Sequence, residues 1–117
     1  MTYRKYLNKP TIVDSITFDS IAESRRYREL KLLLDNGNIT KLELQPRFTL
    51  LEAYVNGKGK KIQALYYFAD FRYFDMELDR WIVEDVKRSA TATPVYKLKK
   101  KLFESKFFPL TITETDA

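Results

Sequence analysis

The chain has 117 residues and a formal net charge of +5, and it contains neither histidine nor cysteine. The two missing residue types exclude Ser-His-Asp and Cys-His nucleophilic sites, zinc sites built on cysteine or histidine, haem ligation by those residues, and disulfide bonds. Chemistry is left to Asp, Glu, Lys, Tyr, Ser and Thr. The metals that suit such side chains are hard ions that prefer oxygen ligands, such as Mg²⁺ or Mn²⁺.

Length and composition predict a single domain over residues 1–117, since domains most often have roughly 100–150 residues. With 44% hydrophobic and 15% aromatic residues, the chain has enough apolar material for a core, which excludes overall disorder. No apolar run approaches the roughly 18 residues of a membrane span, and the start of the chain lacks the apolar stretch of a signal peptide. We therefore expect a cytoplasmic protein that does not contact a membrane.

The first third of the chain predicts a basic arm, a short hairpin and a helix. Residues 1–10 carry three basic residues and no acid. Residues 11–18 alternate in hydropathy around Asp14-Ser15, which is typical of a short extended segment or hairpin. Residues 19–38 form the clearest helical pattern, with Asp19 or Ser20 as the N-cap and a stop at Asn36-Gly37.

The remainder predicts strands separated by one further helix. Residues 39–54 alternate as one strand in which Pro46 indicates an edge or a bulge. A turn follows, then a long aromatic strand over residues 62–74, a connection at 75–79 and a third strand over 80–87. A second helix over 95–108, with Pro94 where it could begin, precedes a short strand at 110–113 and a frayed tail at 114–117. The order helix-strand-strand-strand-helix-strand predicts an α+β fold around a central mixed sheet.

The second and third strands bring two acids together. If their turn is centred between residues 77 and 78, Asp70 lies opposite Asp85, and directly opposed residues project from the same face of a sheet. Lys87 lies two residues further along and points to that face, whereas Glu84 points to the other. Facing carboxylates in apolar strands repel each other unless a cation lies between them, and Mg²⁺ would serve. The alternative is an Asp70–Lys87 ion pair on a solvent-facing sheet surface, with Asp85 beside it.

Glu23 also admits two interpretations. It shares a helix face with Tyr27, Leu30 and Leu34, so it could supply a third acid near the metal. It also follows Ser20 by three residues, which is the spacing of a capping box, and in that role it needs no further function.

The second helix carries five lysines and one glutamate between residues 94 and 108. On a helical wheel, Lys97, Lys100 and Lys101 fall opposite Leu98 and Leu102, and Lys99 falls near this apolar seam. Such a face is either a solvated surface or one that holds the phosphates of a nucleic acid without reading its bases.

Asp70, followed by Asp85-Val86-Lys87 on the next strand, resembles the signature of the PD-(D/E)xK nuclease superfamily. The order of elements is also similar to the common core of that superfamily. An acid in the first helix, here Glu23, is present in many members, notably archaeal Holliday-junction resolvases and transposon-end nucleases. The stretches FDSIAESRRYRELKLL, LELQPRF, ADFRYFD, VEDVK and VYKLKKKLF resemble a family of small phage and prophage proteins of unassigned function. Ala69 stands where the signature has proline, and Arg88 where many members have glycine.

The resemblance implies a restriction-endonuclease-like fold and a Mg²⁺- or Mn²⁺-dependent endodeoxyribonuclease, encoded by a phage or prophage and working in the cytoplasm of a bacterial host. Asp70, Asp85 and the carbonyl of Val86 would bind the metal, Lys87 would be the catalytic lysine and Glu23 an auxiliary acid. DNA contacts would come from six basic residues: Arg26, Arg88, Lys97, Lys99, Lys100 and Lys101. A non-catalytic nucleic-acid-binding or replication accessory module on the same fold is the alternative, and a homodimer remains open for either.

Overall fold

The computed structural model describes residues 10–86 and 93–116, and it is a small mixed α+β structure. Its elements in chain order are β1 (Thr11–Val13), β2 (Ile16–Phe18), α1 (Ile21–Asp35), β3 (Ile39–Leu44), β4 (Arg47–Leu51), β5 (Tyr54–Val55), β6 (Lys61–Ile62), β7 (Leu65–Phe68), β8 (Phe71–Asp75), β9 (Arg80–Val86), α2 (Pro94–Lys106) and β10 (Ile112–Thr115). The predicted basic arm lies outside the described residues except for Pro10. Within the described ranges, no helix is both long and apolar enough to cross a membrane.

The central sheet has four strands in the order β10-β9-β8-β3. β8 pairs with its neighbours β3 and β9 in antiparallel fashion, whereas β9 and β10 run parallel. A parallel pair needs a long crossover, and the segment that contains α2 supplies it. Residues 82–85 of β9 are all buried, as expected for a strand that is covered on both faces.

Helix α1 covers one face of this sheet, and its predicted limits are confirmed. Ser20 is the N-cap, with its hydroxyl accepting a hydrogen bond from the Glu23 amide at 3.1 Å. The helix ends before Gly37, whose φ of +79° suits glycine. Tyr27 and Leu30 are buried with Phe71 in one apolar cluster, so the predicted apolar stripe does face the core.

Helix α2 covers the other face, but with a different side from the predicted one. Tyr96 and Phe103 are buried, whereas Leu98 is 57% exposed and Leu102 is 38% exposed. The prediction that Leu98 and Leu102 form the apolar seam is therefore wrong. Two large aromatic rings bury more apolar area than two leucines, and Phe103 packs edge-on against Phe48 with ring centroids 4.8 Å apart.

The two long strands predicted for residues 39–54 and 62–74 are each broken in the structure. The first stops at Gln45, whose φ is +50°, and at Pro46, which has no amide hydrogen for a ladder. The second is interrupted at Ala69 and Asp70. The outer halves, β4 and β7, pair with each other and leave the main sheet. We call residues 47–68, which also contain the small β5–β6 ribbon, the arm.

The structure also corrects part of what was predicted for the two ends of the chain. The last strand begins at Ile112 rather than at residue 110, and it includes Glu114 and Thr115, which were predicted to be frayed. Glu114 accepts a hydrogen bond from the Tyr96 hydroxyl at 2.6 Å, so this part of the tail is held by α2. The N-terminal hairpin is confirmed, with positive φ angles at Asp14 and Ser15 in its turn.

Candidate active site

The hairpin of β8 and β9 has the predicted turn and register. Its pairs run from Phe71 opposite Glu84 to Asp75 opposite Arg80. The ladder becomes irregular just before β8, because the Asp70 backbone amide donates to the carbonyl of Glu84, the residue that Phe71 already faces, at 3.1 Å. Asp70 is therefore outside the strict register that would place it opposite Asp85, but it interacts with Asp85 through charge and a side-chain hydrogen bond. The Asp70 carboxylate accepts a hydrogen bond from the Val86 amide at 2.7 Å, which fixes it at the end of β9.

Asp85 is buried, with only 3% of its surface exposed. The hydroxyl of Tyr67, from the base of the arm, donates a hydrogen bond to it. Burial and the nearby Asp85 charge raise the pKa of the Tyr67 hydroxyl, so this hydroxyl remains a donor at neutral pH. The alternative interpretation placed Asp85 beside a solvent-facing ion pair, and its burial contradicts that location.

Glu23 lies in the first turn of α1, where its side chain interacts with Asp70 and Asp85, and it is 6% exposed. Burial raises its pKa, and the charges of Asp19 and Asp85 raise it further, while polar contacts with Asp70 and Gln45 lower it in part. Ser20 does cap the Glu23 amide, but the carboxyl group interacts with the acids of the sheet. A cavity of about 120 Å³ lies beside Glu23 and Gln45.

Asp70 interacts with both of the other acids. Burial, the charge of Asp85 and the charge of Glu23, in that order, raise its pKa to about 8. The Val86 amide opposes this rise by stabilising the charged form. At neutral pH, the group of three carboxyls therefore favours either a bound proton or a bound cation.

Glu84 lies on the opposite face of the sheet, as predicted. It is fully buried and receives Arg26 Nε at 2.5 Å, Arg26 Nη2 at 2.9 Å and the Tyr73 hydroxyl at 2.7 Å. A second acid, Glu29, binds Arg26 Nη1 at 2.8 Å. Arg26 was predicted to contact nucleic acid. In the structure, the Arg26 guanidinium instead neutralises the buried Glu84 carboxylate. Arg26 is therefore not part of the proposed DNA contact surface.

The other predicted site residues divide into two groups. Lys87 and Arg88 lie outside the described residues. The four lysines of α2 that were predicted to contact DNA all lie toward the surface: Lys97 and Lys101 are exposed, and Lys99 and Lys100 are half-buried. Lys100 Nζ lies 3.3 Å from a Glu114 carboxylate oxygen, which ties this lysine to β10.

Tyr67 and Gln45 belong to the site but were not predicted. Both lie near the points where the two predicted strands are broken. An unbroken strand at either place would not bring Gln45 to Glu23 or Tyr67 to Asp85. The available signal was Pro46, which follows Gln45 directly. A proline inside an apparent central strand argues against that strand continuing in its sheet.

The donors at this site are carboxylates and an amide side chain, which are the oxygen ligands that Mg²⁺ accepts. Within residues 10–86 and 93–116, no three acidic side chains already have the spacing of a metal-ligand set. Mg²⁺ commonly takes only one or two carboxylates and keeps several waters. Asp70 and Asp85, whose side chains interact, satisfy that smaller requirement in residue type and proximity.

The fold and site together define a small α+β protein with an acidic site where α1, the main sheet and the arm meet. The family model described as "Protein of unknown function (DUF1064)" matches residues 3–115, and the chain belongs to this family. No curated protein and no solved structure matches the chain.

Proposed function

We propose that the protein is a Mg²⁺- or Mn²⁺-dependent endodeoxyribonuclease of the PD-(D/E)xK type, encoded by a phage or prophage and acting in the bacterial cytoplasm. One observation carries the proposal: Glu23 of α1, Asp70 of the break between β7 and β8, and Asp85 of β9 interact in a largely buried place. Bringing three acids together is costly for a fold. A divalent cation with a phosphodiester substrate would offset that cost and explain the arrangement.

In this proposal Asp70, Asp85 and the Val86 carbonyl hold the metal. The Val86 amide orients Asp70 and the Tyr67 hydroxyl orients Asp85, as supporting hydrogen bonds do at metal sites. When bound, the metal would stabilise negative charge that develops on the phosphodiester. Lys87 directly follows β9 and would orient the attacking water, with Glu23 as an auxiliary acid.

The order of elements supports the same assignment. Helix α1, the antiparallel strands β3, β8 and β9, helix α2 and the parallel strand β10 follow one another in the predicted order. We therefore propose a restriction-endonuclease-like core to which the arm has been added between β3 and β8. The site then lies where the first helix meets the central hairpin.

The test is cleavage of labelled DNA by the purified protein. Linear duplex, single-stranded, flapped and four-way substrates are incubated with Mg²⁺, Mn²⁺ or EDTA. We expect cleavage of at least one substrate with either metal and none in EDTA, and Asp85→Asn should abolish it. Asp79→Asn is the matched control: it removes the same charge from an exposed residue in the turn of the same hairpin, where φ is +55° and asparagine is well tolerated. Equal cleavage by both variants would refute the proposed role of Asp85.

The second candidate is a nucleic-acid-binding or replication accessory module on the same fold that does not cut. It is favoured by one observation: the described acids interact without already forming a three-ligand set. Such a module would bind the same DNA panel in a salt-dependent manner. It would leave every substrate intact with either metal.

A further inference from the structure

The arm begins and ends at the acidic site. Its first residue, Arg47, pairs with its last, Phe68, and the pairing continues to Leu51 opposite Leu65. At the root, the Gln45 amide donates to the Asp70 carbonyl at 2.9 Å, and the Ala69 amide donates to the Pro46 carbonyl at 3.2 Å. The arm therefore projects from the point where the carboxylates gather.

The base of the arm is fixed to the body of the protein. Phe48, Leu50 and Tyr67 are buried in the same apolar cluster as Phe103 of α2. Lys106 Nζ at the end of α2 also donates a hydrogen bond to the Thr49 carbonyl at 2.7 Å. Because both strands of the base contribute to the core, the direction in which the arm leaves the site is set by packing.

The outer part of the arm is exposed and has a well-defined turn. Between residues 51 and 61, every side chain except that of Asn56 is exposed. The Asn56 side chain accepts hydrogen bonds from the amides of Lys58 and Lys60, at 2.9 and 3.0 Å, and Gly59 adopts a φ of +78°. The turn thus holds Lys58, Lys60 and Lys61 close together in solvent.

The charge of the arm is almost entirely of one sign. It contains Arg47 and the three lysines of the turn, with Glu52 as its one acid. Leu51, Tyr54 and Val55 are also exposed, and by themselves they would suit a second copy of the chain. If two copies of the arm (residues 47–68) lay side by side, their positive charges would repel each other. The charge therefore favours a polyanion as the binding partner.

We propose that the arm lies along duplex DNA beside the cleavage point and that Lys58, Lys60 and Lys61 hold its phosphates. This inference rests on the proposed nuclease function and adds a requirement for flanking duplex. From residue 47 to residue 55, eight residue steps span at most roughly 26 Å if the chain is fully extended. Successive phosphates of one strand of duplex DNA advance by roughly 3.4 Å along the helix axis, so the lysines reach phosphates up to about seven or eight base pairs from the site.

The test measures DNA binding by full-length protein carrying Asp85→Asn, so that Mg²⁺ can be present without cleavage. The arm variant adds K58Q, K60Q and K61Q. The matched control adds R25Q, R28Q and K31Q, which remove the same charge from the outer side of α1. Both sets lie at solvent-accessible positions, so circular dichroism should show melting temperatures within about 2 °C of the parent. The probes are fluorescein-labelled duplexes of about 30 and about 8 base pairs.

The salt slope is the slope of log affinity against log salt concentration, and each phosphate contact contributes about 0.9 to its magnitude. One contact therefore makes binding at 0.1 M salt about eightfold tighter than at 1 M salt. On the longer duplex we expect the arm variant to bind at least about tenfold more weakly and with a shallower salt slope, and the control to change by less than about threefold. The parent and the control should prefer the longer duplex, and the arm variant should lose that preference.

Equal losses in the arm variant and the control, or an unchanged preference for the longer duplex in the arm variant, would overturn the assignment of the arm. If the wild-type protein cuts DNA in Mg²⁺ while the arm lysines have no effect on binding, the nuclease function stands and only this inference fails. If the protein neither binds nor cuts any DNA, the proposed function fails and the arm inference fails with it.

Discussion

Replacing Asp70 by asparagine should make the metal-free protein more stable at neutral and alkaline pH. Burial and its two acidic neighbours raise the pKa of Asp70 to about 8 from the ordinary value of 3.8. Below about pH 4, this carboxyl is protonated in both the folded and the unfolded states. Between about pH 4 and pH 8, the folded state binds the proton more strongly than the unfolded state, so the free energy of unfolding falls as pH rises.

The size of this penalty follows from the shift in pKa. Each pH unit costs about 1.4 kcal/mol, so a shift of about four units sets a ceiling of roughly 5 to 6 kcal/mol above pH 8. Asp70 is partly exposed and interacts with two other acids, so we expect a measured effect of roughly 2 kcal/mol. Asparagine has nearly the same shape, and its side-chain oxygen can still accept the hydrogen bond from the Val86 amide.

The assay is thermal unfolding in EDTA from pH 4 to pH 9, for the wild type and Asp70→Asn. The difference in melting temperature should grow with pH and level off above pH 8, at roughly 8 °C in favour of the variant. Asp79→Asn serves as the control and should not reproduce this trend. Adding Mg²⁺ should stabilise the wild type more than Asp70→Asn. A variant that is less stable than the wild type at pH 8 in EDTA would refute the argument that Asp70 is held against repulsion.

Two further substitutions test a hydrogen bond at the acidic site and an ion pair that stabilises the fold. Tyr67→Phe removes the hydroxyl that orients a proposed metal ligand, so the Mg²⁺ concentration needed for half-maximal cleavage should rise by about tenfold or more, and the loss of a donor to the buried Asp85 carboxylate should cost about 1 to 3 kcal/mol of stability; an unchanged Mg²⁺ dependence would show that the hydrogen bond is not used. Arg26→Gln leaves a fully buried carboxylate without its cation, which should cost about 3 to 5 kcal/mol in urea unfolding, compared with less than about 0.5 kcal/mol for the exposed Arg25→Gln. Equal effects of these two arginine substitutions would contradict the buried ion pair.

The features that the sequence predicted correctly depend on local pattern. Helix α1 has a capping residue, a periodic apolar stripe and a glycine after its end, and all three signals agree. The register of β8 against β9 required only the position of one turn, because antiparallel register follows from the turn. The apolar residues around Asp85 in the sequence also indicated that it is buried.

The features that were missed depend on contacts between distant parts of the chain. Residues 39–54 and 62–74 each alternate as a continuous strand, and only their joint departure from the sheet shows where they break. Arg26 meets Glu84 across 58 positions of sequence, which no local pattern encodes. The buried side of α2 was misjudged because leucines and aromatic residues share that helix, and the shape of the opposing surface decides which of them it covers.

The hydrogen bonds at the root of the arm make the acidic site a composite of two structural units. Tyr67 approaches Asp85 from the arm, and Gln45 is joined to Asp70 where the arm begins. The stretch from 52 to 61 makes none of these contacts, so natural insertions or deletions in this family can change the length of the arm there and leave the carboxylates in place. The residues at its base have no such freedom. Sequence divergence among relatives should therefore concentrate at the far end of the arm, even though both ends belong to one hairpin.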